Sequence, residues 1–137
     1  MYMLSLLLPR FNALTRDSQR QWGSMSVGQM MTHCTDQLQI VLGEKQARPV
    51  GNSLSQWLMK WVALNVPLPF PKNMRTITAL DTNKTLMTQP VDFAKDRETF
   101  LTTLSRLETL SQNQELSHPG FGSLTKAEAR QHTTVHL

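Results

Sequence analysis

The sequence is poor in cysteine and glycine, and each shortage narrows the class of protein. Of its 137 residues, one is cysteine (Cys34) and six are glycine. A single cysteine excludes an intrachain disulfide, so the chain does not require an oxidising compartment and we expect a cytoplasmic protein. The hydrophobic share of 39% and the charged share of 18% are typical of a globular chain. The length predicts one domain over residues 1–137.

Long apolar runs and established catalytic motifs are also missing. The apolar start, residues 1–8, lacks a basic segment and ends at Pro9 and Arg10, unlike a signal peptide. No other stretch approaches the ~20 apolar residues of a membrane span. The sequence has no zincin helix motif, phosphate-binding loop or G-x-S-x-G elbow. Its carboxylates are spread out, and no pair stands out as general acid and base.

The positive charge is not concentrated in one place. The net charge is +4 and the pI about 9.6, values that can indicate an anionic partner. The 14 basic residues are scattered over the chain, and no aromatic residues alternate with them as a base-stacking surface requires. We therefore expect neither a nucleic-acid nor a membrane partner.

Helical spacing of apolar residues predicts a short first helix over residues 2–14, perturbed by Pro9, and four main helices. Ser26 and Gln29 form a capping box that opens a helix with one buried face, which Gly43 ends. A second core helix follows near residues 53–65, where Trp57 and Trp61 share a face.

The second half of the chain contains a long crossover and two more helices. Residues 67–71 (PLPFP) predict an extended crossover, and residues 72–91 are irregular. A helix follows over residues 93–111, capped by Asp92 or Asp96. Residues 117–123 form a tight loop, and a capping box of Thr125 and Glu128 opens the last helix. With no convincing period-two strand, the pattern predicts an all-α four-helix bundle with a long crossover connection.

Three histidines are candidate metal ligands. His132 and His136 are four residues apart, so on a helix both rings reach one point beside it. Two histidines four residues apart also occur on the polar face of a helix without binding a metal. His33 lies roughly 120° from the apolar stripe of its helix, beside Gln37 and Ile40. It therefore either faces solvent or points into a cleft between helices, where bundles build their metal sites.

Two further residues have reactive side chains with structural explanations. Cys34 lies in the middle of an apolar stripe, so we interpret it as a small buried hydrophobic residue rather than a nucleophile. His118 lies in a Gly- and Pro-containing loop, where a role in stabilising the loop and a role as ligand are both open.

Three segments resemble a bacterial branch of the DinB/YfiT-like superfamily. They are residues 22–33 (WGSMSVGQMMTH), residues 69–73 (PFPKN), and residues 118–124 (HPGFGSL) leading to His136 and Leu137. The resemblance implies a DinB-type four-helix bundle with one metal-ligand histidine on an early helix and an H-x3-H pair on the last. The early ligand corresponds to His33, and the first of the late pair corresponds to His136.

The second histidine of the late pair would come four residues after His136, and Leu137 is the last residue of the sequence. The correspondence therefore predicts a domain cut short within its last helix. Otherwise His132 replaces the missing ligand from one turn earlier, or the site has lost its metal. The case for His132 rests on spacing alone.

Two functional hypotheses follow. In the first, a divalent metal such as Zn, Ni, Fe or Cu is held by His33 and His136, with His132 as a third ligand. The resemblance implies a thiol-dependent transferase or isomerase, with a small-molecule thiol as substrate. In the second, the chain is a non-catalytic bundle that lacks a complete metal site and acts as a binding module or homodimer. Trp57, Trp61 and the apolar N-terminal segment would then form a partner surface.

Overall fold

The computed structural model describes residues 2–21, 23–67 and 88–136, with their side chains from residue 5 to residue 135. These residues form five helices and one two-stranded antiparallel sheet. In chain order the elements are α1 (Tyr2–Asn12), α2 (Val27–Val41), α3 (Ser53–Asn65), α4 (Phe93–Thr109), β1 (Leu116–His118), β2 (Gly122–Leu124) and α5 (Lys126–His136). Most of the predicted crossover, residues 68–87, lies outside the described residues, as does Trp22.

The helix starts follow from local hydrogen bonding. The backbone N–H of Gln29 donates to Ser26 Oγ at 3.1 Å, and the Ser26 N–H donates to Gln29 Oε1 at 2.9 Å. The Thr125–Glu128 pair is reciprocal in the same way, at 2.9 and 3.1 Å. Both predicted capping boxes are confirmed. Pro9 lies inside α1 without ending it before Asn12.

The core forms around α4, which packs against α1, α2 and α5, and it includes residues of the hairpin. Phe100, Leu104 and Leu107 of α4 are completely buried, and the Phe11 and Phe100 ring centroids are 4.3 Å apart. On α2 every residue from 31 to 38 is buried, more than the one face that the periodicity predicted. The reason is that α2 packs against both α4 and β1. The core cluster contains Leu7, Phe11, Met31, Cys34, Leu38, Val41, Phe100, Leu104, Leu107, Leu116, Phe121, Leu124 and Ala129.

The helix over residues 53–65 has the predicted bounds, but its predicted place in the core is wrong. None of its residues is buried, and Trp57 and Trp61 are both more than half exposed. The helix contacts β2 and α5 instead. Amphipathic spacing established that the helix has an apolar face, but not that this face turns inward.

The expectation of no strands is also wrong. The predicted loop 117–123 belongs to a hairpin in which Leu116 pairs with Leu124 and His118 with Gly122. Gly122 has φ 69°, a left-handed conformation that suits glycine at a tight hairpin turn. Both leucines are buried, so the sheet is held by its packing on the helices. The chain is therefore mostly helical with a small sheet. Among the described helices, none has the length and apolar character to cross a membrane.

Candidate functional site

His132 is packed into the hairpin rather than exposed on a polar face. It lies on α5 and is 4% exposed. Its ring meets the ring of His118 at 4.9 Å between centroids, and the ring of Phe121 at 5.0 Å, both edge to face. Helix α5 and the hairpin therefore form one aromatic cluster of three rings, which we call the imidazole cluster: His118, Phe121 and His132.

Burial keeps His132 uncharged. Desolvation, with a smaller contribution from the nearby His118, lowers the pKa of His132 from 6.5 to about 4. Burial in this cluster removes hydration from the charged ring, which is why the neutral ring is favoured. At physiological pH His132 is therefore in the neutral form that can bind a metal.

His118 is held by its own turn. The backbone N–H of Gly120 donates to His118 Nδ1 at 3.0 Å, and the His118 ring stacks on Phe121 with centroids 4.2 Å apart. Because Nδ1 accepts this bond, neutral His118 carries its proton on Nε2. Metal-bound histidines usually donate through their second nitrogen, so this arrangement favours the loop-stabilising role of His118.

His33 lies inside the protein. It is 8% exposed on α2, which rules out the solvent-facing interpretation. Gln37 follows one turn later on the same face and is equally buried. Within the described residues, Gln37 Oε1 has no hydrogen-bond partner. A buried amide oxygen without a partner is uncommon, so this face of α2 presents unused hydrogen-bonding capacity beside His33.

His136 is the last residue of α5, and its side chain lies outside the described residues. His132 and His136 therefore lie on the same helix, as predicted. Of the two rings, the structure describes that of His132 alone. Among the described residues, no group of three or more histidine, cysteine, aspartate or glutamate side chains is arranged to hold a metal ion.

Cys34 is not a reactive thiol. It is buried in the core cluster, and burial raises the pKa of its thiol to about 12. The thiolate is thus negligible at neutral pH, and the side chain is neither a nucleophile nor a ready metal ligand. The prediction of a small buried hydrophobic residue is confirmed.

A groove of about 690 Å³ runs beside the hairpin. Its walls come from the end of α2, the loop after it, the segment before β1, and both strands. Ile40 and His118 line it from opposite elements, and Gln56 of α3 and Lys45 add polar groups. Of the imidazole cluster, only His118 borders this groove.

The sequence pattern did not predict the burial of the Asp36 carboxylate. Asp36 is completely buried on α2, and its Oδ1 accepts from Lys45 Nζ and Thr88 Oγ1, each at 2.8 Å. Its Oδ2 accepts from the Thr88 backbone N–H at 3.0 Å. Both oxygens are engaged, so Asp36 joins α2 to the segment before α4 rather than serving as a free base. The partners lie nine and 52 residues away, beyond any local motif.

No family model, curated protein or solved structure matches the chain. The resemblance to the DinB/YfiT-like superfamily therefore rests on the three segments quoted above and stays a prediction.

Proposed function

We propose that this chain is a cytoplasmic four-helix-bundle protein of DinB type that holds one divalent metal ion with His33, His132 and His136. The observation that carries the proposal is the burial of two imidazoles, His33 on α2 and His132 on α5. Bundle metal sites are built from imidazole side chains that project inward from different helices, and two buried imidazoles on α2 and α5 are ligands of that kind.

The protonation state of His132 supports this proposal. Its pKa of about 4 leaves the ring neutral at pH 7, so no proton has to be displaced before a metal binds. Imidazole ligands suit Zn, Ni and Fe. The raised pKa of Cys34 speaks against thiolate ligation, and the Gly120–His118 hydrogen bond speaks against His118 as a ligand.

The surroundings suggest how the chain would act on a substrate. A bound ion would supply Lewis acidity towards water or a thiol. The rings of His118 and Phe121 cover one side of His132 and keep water from it. Gln37 Oε1 can accept a hydrogen bond from a ligand near His33. In this proposal the substrate is a small-molecule thiol, and the reaction is a transfer or an isomerisation.

The test is metal binding by protein purified without a histidine tag. The chain is stripped with a chelator, titrated with Zn²⁺ and with Ni²⁺ by calorimetry, and analysed for bound metal. We expect about one equivalent in the native chain and at least a roughly tenfold weaker affinity, about 1.4 kcal/mol, in His33→Ala and His132→Ala. Gln39→Ala, a change at a partly buried position of α2, is the matched control and should bind like the native chain.

Equal, substoichiometric metal in the native chain and in His33→Ala would reject the proposal. It would favour the alternative, a non-catalytic bundle that lacks a complete metal site. Loss of binding in His33→Ala but not in His132→Ala would reject His132 alone and leave His33 and His136 as the ligands.

A further inference from the structure

Helix α3 is amphipathic, and its apolar face points out of the protein. At 100° per residue, five apolar side chains fall within an arc of about 140°. They are Leu54, Trp57, Leu58, Trp61 and Val62, which we call the α3 face. Their exposed fractions are 73%, 58%, 51%, 51% and 38%. Contiguous exposed apolar surface of this kind marks an interaction site in a soluble protein.

The opposite side of α3 is fixed to the protein by polar contacts. Gln56 Nε2 donates to the backbone oxygens of Val50 and Pro119, at 3.1 and 3.5 Å. Lys60 Nζ donates to the Ser123 oxygen at 3.1 Å and lies 3.4 Å from the Glu128 carboxylate. These bonds determine which side of α3 faces inward, so the outward direction of the α3 face is built into the packing.

The chemistry of the α3 face restricts its partner. Lys60 is the only charged residue of α3, and its ammonium group is turned towards Glu128. Nucleic acids, anionic lipid surfaces and acidic proteins are bound through lysine and arginine at the contact. The α3 face offers none, so its partner is another uncharged apolar surface.

We propose that the α3 face binds the α3 face of a second copy of the chain, forming a weak symmetric dimer. A two-fold interface brings the same patch together from both copies. An uncharged face meets its own copy without repulsion and without burying a charge. The face also has its apolar residues at i, i+3, i+4 and i+7, the spacing with which two helices interlock along a shallow crossing angle.

The area indicates how strong this dimer is. The exposed parts of the two tryptophans amount to roughly 160–270 Å², and the three aliphatic side chains add roughly 100–200 Å². Each copy thus offers about half of the ~800 Å² that one partner contributes to a standard interface. We therefore expect a dissociation constant between roughly ten and several hundred micromolar, independent of any metal.

The experiment measures molar mass by sedimentation of the full chain from about 1 to 500 μM. The native chain should rise from 15.6 kDa towards twice that mass. In a symmetric dimer, Leu58→Glu would bring a carboxylate from each copy into the same interface, so this variant should stay monomeric. Met59→Glu adds the same charge at a similarly exposed position, about 130° from the centre of the face, and should dimerise like the native chain. Circular dichroism checks that both variants keep their helices.

A native chain that stays monomeric over the whole range would overturn the proposal, as would equal dimerisation in both variants. Tryptophan fluorescence distinguishes the dimer from other contacts of the α3 face. In a Trp22→Phe background only Trp57 and Trp61 emit, and their emission should shift to shorter wavelength as concentration rises. Emission that is already blue-shifted and constant would assign the face to contacts within one chain. A shift of the dilute protein on adding phosphatidylcholine vesicles would assign it to lipid. Either result contradicts the dimer.

Discussion

Helices α2 and α3 have similar sequence patterns and opposite placements. Each opens with a capping box, Ser26–Gln29 in α2 and Asn52–Ser55 in α3. Each has apolar residues at helical spacing. Yet ten residues of α2 are buried and none of α3 is. The difference teaches that periodicity reveals an apolar face, whereas the neighbours of a helix decide whether that face is covered.

The largest expected difference between the two helices concerns a matched pair of methionines. Met31 of α2 is completely buried and Met59 of α3 is 55% exposed. Met31→Ala removes packed atoms and leaves a cavity, so we expect the free energy of unfolding to fall by about 2–4 kcal/mol. Met59→Ala should change it by less than about 0.5 kcal/mol. Urea titrations of both variants measure this, and equal losses would refute the inside–outside assignment.

Acid should destabilise the part of the molecule on which α3 rests. The folded-state pKa of His132 is lowered from 6.5 to about 4, so between these values the unfolded chain binds more protons. Stability is therefore full above about pH 6.5 and falls as the pH drops towards 4. The expected loss is about 2–3 kcal/mol.

Chelator-treated protein should be used for this measurement, because a bound metal would compete with protons for the same ring. Urea titrations at pH 7, 6, 5 and 4 give the slope, and His132→Phe removes the titrating group. A native chain and a His132→Phe variant with the same pH dependence would contradict the assignment.

The two helices also differ in how they hold charge. Asp36 of α2 is completely buried and bonded to Lys45 and Thr88. Asp36→Asn weakens those charge-assisted bonds, so we expect a loss of about 2 kcal/mol in unfolding free energy. The Lys60–Glu128 pair of α3 is partly exposed, with side-chain exposures of 22% and 31%. Lys60→Met should cost at most about 1 kcal/mol. Thermal melts of both variants would show which change lowers stability more. A larger loss for Lys60→Met than for Asp36→Asn would contradict this prediction.

The smallest effect expected concerns the caps. Ser26→Ala and Asn52→Ala each remove one capping bond, worth about 1 kcal/mol. Because α2 is buried, the loss at Ser26 should appear in global stability. Because α3 has no buried residue, the loss at Asn52 should appear as local fraying. Hydrogen exchange should show faster exchange only in α3 for Asn52→Ala, and uniform acceleration across the protein would argue against this separation.

The sequence by itself determined the features that depend on residues close along the chain. The bounds of α3, the two capping boxes at Ser26 and Thr125, and the apolar surroundings of Cys34 follow from short-range hydrogen bonds and periodicity. The metal ligands His33, His132 and His136 remain predictions.

Tertiary structure decided what depends on distant partners. It turned α3 outward through Gln56 and Lys60, and it buried Asp36 against Thr88. It also packed His132 against a hairpin whose three-residue strands are too short for a period-two pattern. These outcomes depend on which surfaces meet after the chain folds back on itself. The spacing of residues along the chain does not specify those tertiary neighbours.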